Sequence, residues 1–211
     1  MLDEPSEGEL TSIITTEHFT LQTARAAAIA QANGRATTYL GVLSSSLIAL
    51  ALVGQTTGLN RFFYAFGLLL FTPLAVLGLF TFERTMQLSL EDVSYATRIN
   101  RLRRFYFRSS KAIEEYLMRP AQSDDVVAVM EQGGVAHLRR LQGFTTTAGL
   151  VALVNGFLFA VLVGFVMELI GADVRALVPL GATVFVLSVA AQYRHAMRAF
   201  RRLNRALRTD L

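Results

Sequence analysis

The chain has 211 residues, of which 53% are apolar and 17% charged, with a formal net charge of +4 and neither cysteine nor tryptophan. Its mean hydropathy is +0.42, whereas a soluble domain carries about a quarter charged residues. These values exclude an ordinary soluble enzyme, a disordered chain and a disulfide scaffold.

Residues 1–19 form an acidic segment (Asp3, Glu4, Glu7, Glu9, Glu17) containing Pro5 and Gly8. Its composition predicts disorder. Because acids replace a basic leader, and the first apolar run begins only near residue 39, no signal peptide is expected. From Thr20 the Ala-rich stretch 24–32 predicts a helix that enters the first apolar window, with Gly34 as a bend.

Four windows lack charge almost entirely: 39–55, with Ala36, Thr37 and Thr38 as a lead-in; 62–82; 144–167; and 174–193 apart from Arg175. A bilayer core about 30 Å thick needs about 20 apolar residues in a helix. Four buried helices of a soluble fold would need a polar shell that this chain lacks. Only short links separate the first pair (Asn60-Arg61) and the last pair (168–173), so each pair predicts a hairpin. The predicted fold is an all-α membrane protein: four transmembrane helices in two hairpins with long cytoplasmic helical extensions. Its segments are the N-terminus 1–19, an entry helix and first hairpin 20–82, a cytoplasmic helical segment 83–143, a second hairpin 144–193 and a basic tail 194–211. Pro73 and Pro179 are compatible with membrane helices, where neighbouring groups satisfy the freed backbone.

Basic residues set the orientation. The links carry only Arg61 and Arg175, while the segment 83–143 carries ten Arg and Lys residues and the tail adds Arg194, Arg198, Arg201, Arg202, Arg205 and Arg208. Both termini and the central segment are therefore expected in the cytoplasm of a bacterial plasma membrane. No stop signal follows the second window before Ser109-Ser110. Leu88, Tyr95, Ile99, Leu102 and Tyr106 share an arc opposite Arg101, Arg104 and Arg108, which predicts a continued amphipathic helix. Further helices are expected over 111–118, stopped at Arg119-Pro120, and from the cap Ser123 to Gly133-Gly134. Residues 135–142 then lead back to the third window.

The six tail arginines fall within about 120° on a helical wheel, with Ala196, Phe200, Leu203 and Leu207 opposite. Three readings stay open: anchoring on anionic lipid, packing of the apolar edge on the helix near 88–106 with the arginines in water, and an anion site, for a phosphate-bearing ligand or along a pore mouth. Nucleic acid is not expected, since no nucleic-acid motif accompanies the arginines.

Within the spans, Gly34, Thr37, Thr38, Gly41, Ser44, Ser45 and Gln55 share a face opposite Leu40, Leu43, Leu47 and Leu50. Gly156, Ala160 and Gly164 form a small-residue ladder, and Asn155 is the most polar residue deep in a span. Such residues serve either close helix packing or a water-lined path at an oligomer axis. The absence of charge at mid-depth argues against a proton-coupled transporter or pump. Glu168 and Asp173 sit at the outer boundary, as solvated groups or as an acidic ring. Thr38-x-x-Gly41 through Leu52-Val53-Gly54 parallels Thr146-x-x-Gly149 through Leu162-Val163-Gly164, a faint internal repeat.

His18, His137 and His195 are scattered, and no catalytic or P-loop motif is present. No enzyme activity, metal site or cofactor is expected. The stretches Ala32-Asn33-Gly34-Arg35-Ala36, Glu91-Asp92 with Tyr95-Ala96, and 99–103 together resemble uncharacterised four-span membrane proteins of actinobacteria. The entry of a small-residue helix into the first span also resembles multispan effectors of bacterial nucleotide-signalling defence systems. That second resemblance implies a nucleotide as one ligand, on no particular residues. The expected function is a homo-oligomeric bacterial membrane channel or pore-forming effector with cytoplasmic gating helices. The alternative is a non-conducting scaffold or sensor that docks a cytoplasmic partner. Expected partners are the bilayer and its anionic lipids, further copies of the chain, and a cytoplasmic protein or nucleotide.

Overall fold

A computed structural model of the chain describes residues 6–109 and 146–209. They form four helices: α1 (Glu7–Thr57), α2 (Arg61–Ser109), α3 (Thr147–Leu169) and α4 (Val174–Thr209). No strand occurs among the described residues. Each helix contains a stretch long and apolar enough to cross a membrane. The helices expected over 111–118 and 123–134, the return segment 135–142 and His137 lie outside the described residues.

α1 begins at Glu7, inside the segment expected to be disordered through residue 19. The reason is a capping box. Ser6 Oγ accepts from the Glu9 backbone N–H at 3.4 Å, and the Glu9 carboxylate accepts from the Ser6 backbone N–H at 2.8 Å. The pattern Ser6-x-x-Glu9 was present in the sequence. With no proline between Pro5 and Pro73, nothing then breaks the helix, and it passes Gly34 without interruption.

Both short links close by the same chemistry. Gly58 takes φ +70°, and its N–H donates back to the Gly54 carbonyl at 3.0 Å, an αL helix end that only glycine adopts freely. Two residues on, the Asn60 side chain caps α2, accepting from the Phe63 N–H at 3.0 Å and donating to the Thr57 carbonyl at 2.9 Å. After α3, Gly171 also takes φ +70°. Its N–H reaches the Glu168 carbonyl and the Ala172 N–H reaches the Met167 carbonyl, a Schellman end. Again two residues on, Asp173 Oδ1 caps α4, accepting from the Arg175 N–H at 2.9 Å. Asp173 is thus a helix cap. The Gly-x-Asn and Gly-x-Asp pairing extends the internal repeat to the link itself.

The described residues divide into two units. Residues 32–87 and 146–202 hold the four apolar windows. Two clusters make their core. Ala36, Tyr39, Phe82, Met86, Ala148, Val151 and Ala152 form one, flanked by Ala196 and Ala199 of α4. Leu50, Phe63, Phe71, Leu74, Ala75 and Leu158 form the other. In the second, the Phe165 ring stacks on Phe71 and meets Phe63 and Tyr64 edge-on. It lies directly against Gly67, where a Cβ would collide with the ring.

Residues 6–31, 88–109 and 203–209 belong to the second unit. Leu21 and Ala28 of α1 and Leu88, Val93, Ala96, Ile99, Thr97 and Asn100 of α2 are buried. The buried arc of α2 is broader than expected and turned away from Tyr95 and Leu102, which are only half-buried. Thr97 can lie inside because its hydroxyl donates to the Val93 carbonyl at 2.9 Å. Arg101 does not lie free on the opposite side: its guanidinium donates to the Leu207 carbonyl of α4 at 3.3 Å. The Arg25 Nε–Asp92 Oδ1 ion pair, 2.6 Å, joins α1 to α2.

Candidate functional site

Asn155 sits near the middle of α3 and is fully buried. A bare amide in such a place costs free energy unless it is hydrogen-bonded. Three helices supply what it needs. The Tyr39 hydroxyl of α1 donates to Asn155 Oδ1 at 2.8 Å. Asn155 Nδ2 donates to Gln192 Oε1 of α4 at 3.1 Å. Gln192 Nε2 donates onward to Ser188 Oγ at 3.2 Å. α2 contributes an absence of side chain: a Cβ on Gly78 would collide with Asn155 Oδ1 and stand 2.6 Å from the Tyr39 hydroxyl. Along the helices the cluster falls between the two apolar clusters, at Gly78 between Ala75 and Phe82 and at Asn155 between Ala152 and Leu158. It contains no charged group. Its polar groups are bonded to one another and tie α1, α3 and α4 together.

The α3 ladder serves the same packing. A Cβ on Gly156 would stand 2.7 Å from Val189 and 3.2 Å from the Phe185 ring of α4. A Cβ on Gly181 of α4 would just reach Ala160, at 4.0 Å, while Gly164 faces open space. Gly156 and Asn155 are therefore interior residues and do not share a surface with the hydroxyl face of α1.

That hydroxyl face is open. Thr37, Thr38, Gly41, Ser44, Ser45 and Gln55 are all exposed, and a Cβ added to Gly34 or Gly41 would meet nothing within 4 Å. The Thr38 and Ser45 hydroxyls donate to the Gly34 and Gly41 carbonyls of their own helix, each at 3.0 Å. Among the described residues, nothing packs over this face.

The tail arginines Arg194, Arg198, Arg201, Arg202 and Arg205 are exposed, with Ala196, Phe200, Leu203 and Leu207 half-buried opposite. The backbone at Arg208 continues the helix. His195, among the arginines, donates through Nε2 to Glu83 Oε2 at 3.0 Å. Glu83 also accepts from Gln87 at 3.1 Å. No group of three or more metal-ligating side chains occurs among the described residues.

No protein family, curated protein or solved structure matches the chain. The site must therefore be interpreted from its own chemistry. Tyr39, Gln192 and Gly78 were not singled out in the sequence, although each is an outlier of kind: a phenol at the start of a span, an amide near the end of another, and a glycine level with neither link.

Outside the apolar windows, His18 is half-buried. Burial, and secondarily the Arg103 guanidinium, hold its pKa below the ordinary histidine value. The Gln22 amide lies 2.7 Å from its Nε2, the contact of an amide donor with a neutral ring.

Proposed function

We propose that the chain is a multi-pass protein of a bacterial plasma membrane that assembles with copies of itself, and that the assembly encloses a channel lined by the hydroxyl face of α1. The observation that carries this reading is the exposure of Thr37, Thr38, Gly41, Ser44, Ser45 and Gln55 on one side of a membrane-length helix. Ile48 and Leu52 share this arc and are exposed with it, but its small residues favour helix contact and its hydroxyls hydrate an ion weakly enough to release it. A path inside one protomer is disfavoured, because its polar cluster is closed and bonded end to end. The two helix pairs are read as hairpins entering from the cytoplasm, with both termini and the extensions on that side, since the basic residues concentrate there. The reading includes no catalytic step and no cofactor. A cytoplasmic protein or a nucleotide acting on the extensions would supply the gating signal.

The second reading is a non-conducting scaffold or sensor. It is favoured by the Thr38 and Ser45 hydroxyls, which already bond to their own backbone and so need no water. Oligomeric state in nanodiscs, followed by conductance in planar bilayers, separates the two. Conductance that falls for Ser45→Leu and persists for Leu47→Ile supports the channel. Well-assembled oligomers that never conduct, across voltage and candidate ligands, leave the scaffold.

A further inference from the structure

An open apolar groove of about 540 Å³ lies between α2, α3 and α4. Leu68 and Thr72, Phe159 and Val163, and Val184 and Leu187 line it. Its two hydroxyls are engaged, Thr72 donating to the Leu68 carbonyl at 2.7 Å and Ser188 Oγ accepting from Gln192 Nε2 at 3.2 Å, so what the groove presents is mainly hydrocarbon.

α4 joins this groove to charge. At 100° per residue, Val184, Leu187, Ala191, Arg194, Arg198 and Arg202 all fall within an arc of about 80°. Leu187 is 64% exposed, and Ala191 and the three arginines are exposed. Among the described residues, none pairs with Arg194, Arg198 or Arg202. The nearby carboxylate, Glu83, is already held by His195 and Gln87. From Arg194 back to Val184 the helix rises about 15 Å, half the thickness of a hydrocarbon core of about 30 Å. One face of one helix thus carries cations at a membrane boundary and, one leaflet deeper, a groove wall.

We propose that this face binds a single anionic phospholipid, with its phosphate on Arg194, Arg198 and Arg202 and one acyl chain laid along Ala191 and Leu187 into the groove. The charge selects an anionic headgroup, and the groove selects a chain over a soluble anion. The site lies within one protomer and does not depend on whether copies assemble or conduct.

The absence of tryptophan gives a direct test. Leu187→Trp places the sole indole on the groove wall. Phe157→Trp places it on the opposite face of α3, where Phe157 is 62% exposed. Neither change displaces a core side chain. Each variant is reconstituted in nanodiscs containing brominated phosphatidylglycerol as a minor component in phosphatidylcholine, and again with the bromine on the phosphatidylcholine. For Leu187→Trp, the relative association constant should favour the anionic lipid at least about fivefold, and each arginine neutralised in Arg198→Gln and Arg202→Gln should lower it about fivefold. Phe157→Trp should show no preference. Equal preference at both positions would mean diffuse surface attraction and overturn the site. A preference that survives both arginine substitutions would overturn it too. So would displacement of the lipid by inorganic phosphate or a nucleoside triphosphate at matched ionic strength, which would assign the arginines to a soluble anion.

Discussion

The Tyr39 hydroxyl and the Asn155 carbonyl oxygen meet at 2.8 Å in a place sealed from solvent. Asn155 thereby accepts from α1 and donates to Gln192 of α4, so one amide fixes the rotation of three helices. In a membrane such bonds average about 0.6 kcal/mol and reach about 1.7. Tyr39→Phe removes one donor and should cost about 1 kcal/mol. Asn155→Leu keeps the volume but strands both the Tyr39 hydroxyl and the Gln192 amide, and should cost about 2 kcal/mol. Reversible unfolding in mixed micelles checks the order. Equal costs for the two variants would mean that the chain of bonds is not continuous.

Glycines supply a contrast within one bundle. Gly78→Ala drives a methyl into Asn155 and Tyr39, and overpacking of this kind costs about 1–3 kcal/mol. Gly164→Ala meets nothing within 4 Å and should be neutral or slightly stabilising. Thermal unfolding of the two variants side by side tests the packing at Gly78. A Gly78→Ala variant as stable as Gly164→Ala would require the helices to sit farther apart there.

The four membrane-length helices were legible because charge disappears from four windows, and the continuation of α2 to Ser109 was legible because nothing stops it. Asn155 stood out as a polar residue in an apolar setting. Its partners did not, because Tyr39 and Gln192 lie 116 and 37 residues away in sequence, and periodicity says nothing about which helix faces which. The buried arc of α2 was misjudged for a related reason. Thr97 reads as polar on a wheel, yet it returns its hydroxyl to Val93 and packs as a small residue. The start of α1 is legible in the Ser6-x-x-Glu9 box, against an acidic composition that points to disorder.

His18 gives a pH dependence with a definite sign. Its pKa lies below the ordinary value, chiefly through burial and then through Arg103. The unfolded chain therefore takes up a proton at a higher pH than the folded one, and stability falls as pH drops from about 6.5 toward the lowered folded value. Hydrogen exchange of residues 6–31, corrected for intrinsic rates, should show protection decreasing across that window. His18→Gln should flatten the dependence. An unchanged pH profile in that variant would place the titration elsewhere.

The Arg25–Asp92 pair is short, at 2.6 Å, but its side chains are 43% and 26% exposed. Solvent screening limits pairs of this exposure to about 0.2–1 kcal/mol. A double-mutant cycle with Arg25→Gln and Asp92→Asn should return a coupling in that range and lose most of it in high salt. A coupling well above it would mean that the pair is shielded in the assembled protein.

Orientation is open to the cleanest test, because the chain has no cysteine and any introduced thiol is unique. Asn60 and Ala172 occupy the two links, where α1 and α3 end at Gly58 and Gly171. Glu17 is exposed and lies toward the N-terminal end of α1, the other end of that helix from Gly58. If the arginine-rich segments stay in the cytoplasm, Asn60→Cys and Ala172→Cys should react with an impermeant thiol reagent added to intact cells, and Glu17→Cys should react only after lysis. Asn60 also caps α2 through its side chain, and losing such a cap costs about 1 kcal/mol, so Leu59→Cys serves as a second probe of that link. Labelling of Glu17→Cys in intact cells would invert the protein in the membrane. Labelling at only one of the two links would mean that the helix pairs enter from opposite sides, which would also remove the parallel relation implied by the repeated glycine and cap of the links.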